Sequence, residues 1–300
     1  MSVKEHDVDS LEFSPAFPVR LSVPVWAASF IIIELIWTFA GGFVTFQTDR
    51  LVQLVKISEI LKAYLTLHVN FIVLLIVLLM FLRLVAKTSL TAFITESKSI
   101  RWSLMFTSAL IWSGAIGIIT IIATLLGKNG IQLYEAGTIT DRTVMLAVVV
   151  IFTSVQCIAE ELLFRTFIWR AAGKRHVAAL VLSAIVFTLA HLANNEVVSS
   201  QQPLWTLAYY ALVGMIFMEM TIASDGSEAA IGAHLANNLF LAIVVNYRGS
   251  TLETLPLFMQ DRPGLLQNLL TIGIAGIMII AWIRRRQCSQ INKSDIRLDQ

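Results

Sequence analysis

Long apolar runs separated by short polar segments follow one another along almost the whole chain. A helix needs about 20 apolar residues to cross the hydrocarbon core of a bilayer. Eight runs come close to that length or exceed it: 21–46, 63–82, 102–127, 144–172, 177–193, 204–223, 229–247 and 265–283. The pattern therefore predicts an all-α fold, a polytopic bundle of about eight transmembrane helices.

Two further segments mix apolar and polar residues and are too polar to be buried in lipid. Residues 51–62 alternate near a helical period, which predicts a helix lying on the membrane surface. Residues 88–101 are a second candidate for an interfacial helix. No segment requires β structure.

The polar motifs described below divide the chain into five regions. These are a cytoplasmic N-terminal segment (1–20), N-terminal transmembrane and interfacial helices (21–143), motif-bearing helices (144–247), a last loop and transmembrane helix (248–286) and a polar C-terminal tail (287–300).

Composition excludes a soluble domain. The chain is 57% hydrophobic and 14% charged, whereas soluble domains are about 45–50% apolar and about 25% charged. The lipid bilayer is therefore an expected partner. The net charge of +2 gives no sign of nucleic-acid binding. Cys157 and Cys288 are far apart and form no CxxC pair, so neither a disulfide framework nor a cysteine metal site follows.

Basic residues predict the orientation in the membrane. With eight spans both termini share a side, and that side carries 14 of the 22 Lys and Arg residues. The opposite side carries 7, and Arg165 lies within a span. Since basic loops stay in the cytoplasm, we expect an integral protein of a bacterial plasma membrane with both termini in the cytoplasm.

Charged residues interrupt the fourth span. Glu160, Glu161 and Arg165 lie in a run that is otherwise typical of a membrane helix, and charges at membrane depth are functional candidates by default. Glu161 and Arg165 are four residues apart and can pair on one face. Glu160 points about 100° away, so Arg165 would keep Glu161 ionised and leave Glu160 free to accept a proton.

Two later spans carry polar groups that a packing helix does not need. The fifth ends at His191, and the seventh carries His234 and Asn238, which are four residues apart and project together. At a rise of 1.5 Å per residue, Glu161 lies roughly 16 Å from the cytoplasmic end of its span. On the same count, His191 lies roughly 21 Å and His234 roughly 8 Å from the cytoplasmic ends of theirs. These depths allow one site in the cytoplasmic half of the bilayer.

Structural explanations exist for the same residues. The Glu-Glu-Arg cluster could be an ion pair that fixes helix packing, although a lone pair would not need a second glutamate. Each histidine could make an interhelical hydrogen bond. Hydrogen bonds inside the bundle explain the remaining polar residues of the spans at least as well, and their roles stay open: Glu34, His68, Asn70 and Glu219.

Together, these motifs resemble the three-motif pattern of the CPBP family of intramembrane proteases. That family includes the CAAX prenyl endopeptidases of the Rce type and bacterial Abi proteins. The resemblance covers residues 144–247, and the earlier spans carry no signature. Its motifs are Glu160-Glu161-x-x-x-Arg165, Phe187-x-x-x-His191 and His234-x-x-x-Asn238.

The resemblance implies an endopeptidase that hydrolyses a peptide bond in a peptide or protein substrate at the membrane. Glu160 would activate the attacking water, with His191 beside it. Glu161 and Arg165 would orient and support that glutamate.

The resemblance also implies that His234 and Asn238 bind a metal or stabilise the developing oxyanion. The family is commonly described as metalloproteases, and its metal requirement is disputed. The chain has no HExxH helix. A set of His191, His234 and Glu160 could still supply three ligands to zinc and leave an open position.

Two other functions compete with a protease. The first is a non-catalytic membrane interaction protein, such as a bacteriocin-immunity member of the same fold, for which Glu160→Ala would leave the cellular phenotype intact. The second is a transporter. It is disfavoured because no series of charges crosses the bilayer and no inverted repeat is visible.

Overall fold

The structure is a computed structural model that describes residues 21–298, with side chains described as far as Cys288. The predicted N-terminal segment 1–20 lies outside the described residues. The α-helices are α1 (Val23–Ile36), α2 (Gly42–Val52), α3 (Glu59–Leu84), α4 (Leu90–Ile94), α5 (Trp102–Leu125), α6 (Ile139–Glu161), α7 (Ile168–Ala171), α8 (His176–Ala190), α9 (Asn195–Val198), α10 (Pro203–Ser224), α11 (Glu228–Leu239) and α12 (Leu265–Leu298).

Three π-helical segments continue these helices without a break. They are Trp37–Gly41 between α1 and α2, Leu162–Phe167 between α6 and α7, and Phe240–Val244 after α11. Single-turn π segments inside α-helices are frequent at functional sites. The second of them begins directly after the Glu160-Glu161 pair.

The predicted all-α membrane bundle is confirmed. Within the described residues, six helical stretches are long and apolar enough to cross a membrane: Val23–Val52, Glu59–Leu84, Trp102–Leu125, Ile139–Ala171, Pro203–Ser224 and Leu265–Cys288. Two shorter apolar helices, His176–Ala190 and Glu228–Val244, take the places of the predicted fifth and seventh spans.

The sequence requires no β structure, and the structure adds three short strands to the helical bundle. These are β1 (Gln132–Leu133), β2 (Val245–Tyr247) and β3 (Phe258–Gln260). The central strand β3 pairs antiparallel with β1 and parallel with β2. The strands lie in the connections between spans, where pairing gives backbone N–H and C=O groups the hydrogen bonds that no helix supplies.

Two other segments differ from the sequence prediction. Residues 53–58 connect α2 to α3 as a loop, so no separate surface helix occupies 51–62. The side chain of Ser58 accepts a hydrogen bond from the Leu61 N–H and caps the start of α3. Most of the predicted C-terminal tail continues α12 as helix as far as Leu298.

The connections gather on two opposite faces of the bundle. The face that carries the three strands is called the sheet face here. Its loops are joined by the sheet and by hydrogen bonds from Arg142 to the carbonyl oxygens of Tyr134 and Pro256. The opposite face, on which α1 begins, is called the terminal face. There Ser227 N–H donates to Ile94 O.

A buried ion pair reinforces the terminal face. The carboxylate of Glu228, at the start of α11, is fully buried and accepts two hydrogen bonds from the Arg101 guanidinium, at 2.6 and 2.9 Å. Arg101 also donates to Ser224 O at 2.6 Å. This pair fixes where α5 and α11 start relative to each other.

α5 and α11 pack so closely that one contact requires glycine. A Cβ added to Gly232 would collide with the carbonyl oxygen of Met105. Gly214 similarly lets α10 approach the backbone of α8, where a Cβ would stand 2.9 Å from Cα of Ala184. Close approach through small residues is the usual way in which membrane helices pack.

The outside of the bundle is apolar, as lipid requires. Large aliphatic side chains point outwards on several helices, including Leu110, Ile151, Val177 and Ile277. The core is apolar as well, and it encloses a smaller set of charged side chains that includes Glu160, Glu161 and Arg165. An apolar exterior with ionisable groups facing the interior is what a bilayer environment favours.

Candidate active site

A cavity of about 810 Å³ runs from the centre of the bundle to the sheet face. Its inner end is lined by Glu160, His191, His234 and Asn238, so the structure brings residues of all three sequence motifs to one place. Aromatic and aliphatic side chains complete this inner end: Trp112, Phe164, Phe187, Tyr210, Val213 and Phe217.

The outer end of the cavity is polar. Its lining comes from the loops of the sheet face and from the adjoining ends of α10 and α12: Asn194, Glu196, Ser199, Gln202, Ser250, Thr251, Arg262 and Asn268. Glu196 joins two of these loops, because its carboxylate accepts hydrogen bonds from the Tyr247 hydroxyl at 3.0 Å and from the Thr251 N–H at 2.8 Å. The guanidinium of Arg262 donates to the backbone carbonyl of Glu196.

The two carboxylates in the last turn of α6, Glu160 and Glu161, have different surroundings. Glu161 is fully buried, and its Oε2 lies 3.3 Å from Nε of Arg165. Arg165 is also fully buried, with its guanidinium 4.1 Å from the ring centre of Phe187 and 5.2 Å from that of Phe217. A carboxylate and two ring faces thus compensate the arginine charge where water is excluded.

Glu160 has different neighbours. Its Oε1 accepts a hydrogen bond from Nε2 of Gln156, one turn earlier on α6, at 2.9 Å. Its Oε2 is buried and has no hydrogen-bond partner, and the residue lines the cavity while Glu161 does not. Glu160 therefore presents an unpaired carboxylate oxygen at the inner end of the cavity.

A directed series of hydrogen bonds orients His234. The indole N–H of Trp112 donates to Oδ1 of Asn237 at 3.2 Å, and Nδ2 of Asn237 donates to Oδ1 of Asn238 at 3.1 Å. Nδ2 of Asn238 lies 3.3 Å from Nε2 of His234, and Nδ1 of His234 lies 2.7 Å from Oε1 of Glu161. An indole N–H can only donate, so it sets the direction of every later bond.

This direction determines the tautomer of His234. Asn238 donates to Nε2, so Nε2 is the acceptor, and Nδ1–H donates to the Glu161 carboxylate. Nε2 of His234 stands 3.8 Å from Oε2 of Glu160, beyond hydrogen-bond distance. Glu161 is therefore hydrogen-bonded to His234 through Oε1 and ion-paired with Arg165 through Oε2, whereas Oε2 of Glu160 has no hydrogen bond.

His191 caps the C-terminus of α8 beside the same cavity. Its Nδ1 lies 2.7 Å from the carbonyl oxygen of Phe187. Because a carbonyl only accepts, Nδ1 carries the hydrogen and Nε2 keeps its lone pair. The ring is held between Phe187 and Tyr210, with centroid separations of 4.1 and 4.4 Å.

The same side chains do not form a metal site as they are arranged. In the described part of the chain, no three His, Cys, Asp or Glu side chains are close enough to hold one metal ion. Nδ1 of His234 is bound to Glu161 and its Nε2 to Asn238. The predicted ligand set of His191, His234 and Glu160 is not assembled in this arrangement. Zinc stays a prediction that metal removal can decide.

Of the remaining polar candidates, Glu219 and Glu34 lie away from the cavity. Glu219 joins three helices at the terminal face, with Oε2 2.6 Å from Nε2 of His176 and Oε1 2.7 Å from Arg284. Glu34 is partly buried on α1 and is not among the residues that line the cavity. Asn70 lines the cavity from α3.

Sequence reasoning missed several residues that orient the site. Gln156 was visible as the polar residue one turn before Glu160, and Asn237 as the neighbour of Asn238. Trp112 and Tyr210 read as ordinary apolar residues of their spans, and no local signal marks them.

Comparison with known proteins places this site within a matched segment. Residues 142–240 match the model of the family described as type II CAAX prenyl endopeptidase Rce1-like. The chain is also 33% identical over 115 residues to the uncharacterized protein YyaK of Bacillus subtilis (strain 168). That alignment covers 37% of this chain and 38% of YyaK, so the similarity spans well under half of the relative. No solved structure matches the chain. The matched residues 142–240 include Glu160, His191, His234 and Asn238, so the candidate site lies within the segment that is similar to the Rce1-like family.

Proposed function

We propose that this protein is an intramembrane endopeptidase in which Glu160 activates water to hydrolyse a peptide bond of a membrane-associated substrate. The observation that carries the proposal is the contrast between two adjacent carboxylates. Glu161 is paired with Arg165 and His234, whereas Oε2 of Glu160 has no hydrogen-bond partner, lies 3.8 Å from Nε2 of His234 and belongs to a residue that borders the cavity.

The attacking water would be bound by two acceptors. Oε2 of Glu160 and Nε2 of His191 each offer a lone pair at the inner end of the cavity. A water that donates to both has its own lone pairs free to attack the carbonyl carbon. Glu160 takes the proton as the C–O bond forms, which is general-base catalysis.

The developing oxyanion requires donors in fixed positions. An asparagine amide has two hydrogens, and Asn238 uses one of them on Nε2 of His234. Its second N–H can donate to the substrate oxygen. The hydrogen bonds from Trp112 through Asn237 hold that amide in place before substrate arrives.

The second half of the reaction returns the proton. As the tetrahedral intermediate collapses, the C–N bond breaks and the leaving nitrogen takes the proton that Glu160 had accepted. The products are a carboxylic acid and an amine, and Glu160 is again ionised. Glu161 keeps its charge throughout, so that it holds His234 and Arg165 in place.

The cavity supports a substrate that enters from the sheet face. Its inner end is aromatic and its outer end is polar, which suits a peptide with apolar residues at the scissile bond and polar residues beyond it. With both termini in the cytoplasm, as the basic residues predict, the cavity opens on the non-cytoplasmic side. A prenylated C-terminal peptide and an unprenylated transmembrane peptide are the two substrate classes that we would test.

Cleavage in proteoliposomes tests the reaction. One internally quenched probe carries a farnesylated C-terminal CAAX sequence, and the other is a single-span peptide without a lipid. We expect the wild type to cleave at least one probe and Glu160→Gln to lower kcat by about 10³-fold. Glu219→Gln makes the same chemical change outside the cavity and should stay active.

Full activity of Glu160→Gln would overturn the mechanism. If the wild type cleaves neither probe, protein termini in host membranes should be compared between cells that express the wild type and cells that express Glu160→Gln. An identical set of termini would contradict the protease hypothesis and favour a non-catalytic membrane interaction protein.

Thiol labelling tests the direction of entry. Cys157 is buried and Cys288 is exposed beyond the terminal face, so Cys288 reports on that side. Ser199→Cys in a Cys288→Ser background reports on the mouth of the cavity. In intact cells, a membrane-impermeant maleimide should label Ser199→Cys but not the native Cys288. The reverse pattern would place the cavity mouth in the cytoplasm.

A further inference from the structure

Two cavity residues beside His191, Asn194 and Tyr210, carry hydrogen-bonding groups that the proposed reaction does not use. The ring of Tyr210 lies 4.4 Å from the ring of His191, measured between centroids. Asn194 follows on the next turn, where its backbone N–H donates to the carbonyl oxygen of His191 at 3.1 Å. Both side chains line the cavity, Tyr210 at its inner end and Asn194 at its outer end. The pair therefore lies where the two ends of the cavity meet.

A hydrogen bond fixes the two side chains relative to each other. Nδ2 of Asn194 donates to the hydroxyl oxygen of Tyr210 at 3.2 Å. A tyrosine hydroxyl can accept and donate at the same time. Its oxygen accepts from Asn194, and the described residues offer no acceptor to its hydrogen. The Tyr210 O–H group is therefore an available donor at the cavity wall.

The amide oxygen of Asn194 is available as an acceptor. Asn194 is the N-cap residue of α9, and the side-chain oxygen of an asparagine at this position usually accepts a hydrogen bond from the first turn. Here the side chain makes no capping bond. Its oxygen accepts no hydrogen bond from any described residue, and it keeps accessible surface on a residue that lines the cavity.

A donor and an acceptor side by side match the main chain of a peptide. The oxygen of Asn194 belongs to the same amide group that holds the Tyr210 hydroxyl, so the two groups are neighbours. In an extended strand, the C=O and N–H of one residue point to the same side, and a partner strand binds both. A lipid tail offers neither group, so this part of the wall suits a peptide better than lipid.

We propose that Asn194 and Tyr210 form a subsite that binds the main chain of the substrate beside the scissile bond. This inference rests on the proposed function of the cavity. Tyr210 donates to a backbone carbonyl of the substrate, and Asn194 accepts from the N–H of the same residue. That residue is bound in extended form whatever its side chain is. Because proline has no backbone N–H, it is excluded from this position.

Removal of either group should weaken substrate binding and leave the chemical step intact. Tyr210→Phe keeps the ring beside His191 and removes only the hydroxyl, whereas Asn194→Ala removes the acceptor. In the proteoliposome assay we expect each variant to lower kcat/KM about 5-fold at nearly unchanged kcat, the pattern of a lost binding interaction. Tyr134→Phe makes the same change outside this cavity and should match the wild type.

Probes with single ester bonds test the contact from the side of the substrate. In each probe, one peptide bond other than the scissile bond is replaced by an ester, which has no N–H to donate to Asn194. We expect one position close to the scissile bond at which the ester lowers kcat/KM of the wild type about 10-fold. Asn194→Ala should cleave that ester probe and the all-amide probe about equally well, because both changes remove the same hydrogen bond.

The same comparison is possible without cleavage. Glu160→Gln keeps the subsite and blocks the reaction, so the binding of labelled probes to this variant in nanodiscs reports affinity alone. The all-amide probe should bind about 10-fold more tightly than the sensitive ester probe. Asn194→Ala in the Glu160→Gln background should remove that difference. If Asn194→Ala does not fold, kcat/KM of Tyr210→Phe relative to Tyr134→Phe decides the proposal.

Equal binding of the all-amide probe and every ester probe would overturn the subsite, as would an ester penalty that persists in Asn194→Ala. A loss in Tyr210→Phe that falls on kcat alone would also overturn it. Each result can occur while the wild type cleaves and Glu160→Gln is inactive, in which case the proposed function stands and the subsite fails. Selective binding by a wild type that cleaves neither probe would support the subsite and remove the protease.

Discussion

The segment 142–240 and the helices that precede it contribute to the same cavity in different ways. The segment carries the groups that would react, with Glu160, His191 and His234 in recognisable motifs. The preceding helices carry no motif, yet Trp112 of α5 donates the first hydrogen bond of the series that orients His234. The groups that would react thus come from one segment, whereas the groups that orient them come from that segment and also from the helices before it.

This difference teaches where sequence information lies in such a site. A reacting group must be a particular residue type at a particular spacing, so it leaves a pattern. An orienting group needs only to reach its partner, as Trp112 reaches Asn237 across 125 positions of sequence. Variants in the two regions should therefore differ in the size of their effects.

The largest of these effects should come from the motif segment. His191→Phe keeps an aromatic ring between Phe187 and Tyr210 but removes the lone pair on Nε2. We expect kcat to fall by about 10²-fold, the lower range for loss of an acid–base group. The measurement is steady-state cleavage in proteoliposomes. An unchanged kcat would show that Glu160 activates water alone.

A smaller loss should follow from the preceding helices. Trp112→Phe keeps the ring but removes the indole N–H, so the amides of Asn237 and Asn238 lose their fixed direction. We expect kcat to fall about 10-fold. Trp205→Phe makes the same change near the mouth of the cavity, where Trp205 is largely exposed. A Trp112→Phe enzyme as active as this control would show that the preceding helices do not orient the site through Trp112.

The contact between the two regions should affect stability more than chemistry. Gly232→Ala forces a Cβ against the carbonyl oxygen of Met105, where α11 meets α5. Overpacking costs about 1–3 kcal/mol, so the variant should melt at a lower temperature in a detergent thermal-unfolding assay. Gly273→Ala on α12 has open space at its Cβ and serves as the control. Equal melting temperatures of Gly232→Ala and Gly273→Ala would contradict the close packing of α11 against α5.

Metal removal should have the smallest effect. His234 is engaged at both ring nitrogens, and the described residues contain no three-ligand cluster. Prolonged chelation followed by dialysis should therefore leave kcat unchanged. Activity that disappears and returns with added zinc would require the site to rearrange around a metal.

Much of the fold is predictable because its signals are local. The length of each apolar run locates a span, and the free-energy cost of buried charge singles out Glu160, Glu161 and Arg165 from the sequence alone. Helical spacing also indicates that His234 and Asn238 share a face. Those predictions need only one helix at a time.

The rest depends on how helices pack against each other. The contact of Nδ1 of His234 with Glu161 joins residues 73 positions apart, and no spacing rule gives the depth or rotation of two helices. The π segment after Glu161 and the strands of the sheet face have no periodic sequence signal of their own. The direction in which the cavity opens also follows only from the packed bundle.

The most direct test compares Glu160→Gln with Glu161→Gln, with kcat and thermal stability measured on the same preparations. The account predicts that both variants lose cleavage activity and that only Glu161→Gln loses stability. Glu161→Gln leaves the Arg165 charge buried without its carboxylate, which costs about 3–5 kcal/mol, whereas Oε2 of Glu160 has no hydrogen-bond partner to lose. An active Glu160→Gln enzyme, or a stability loss that falls on Glu160→Gln instead, would contradict the division of roles between the two carboxylates.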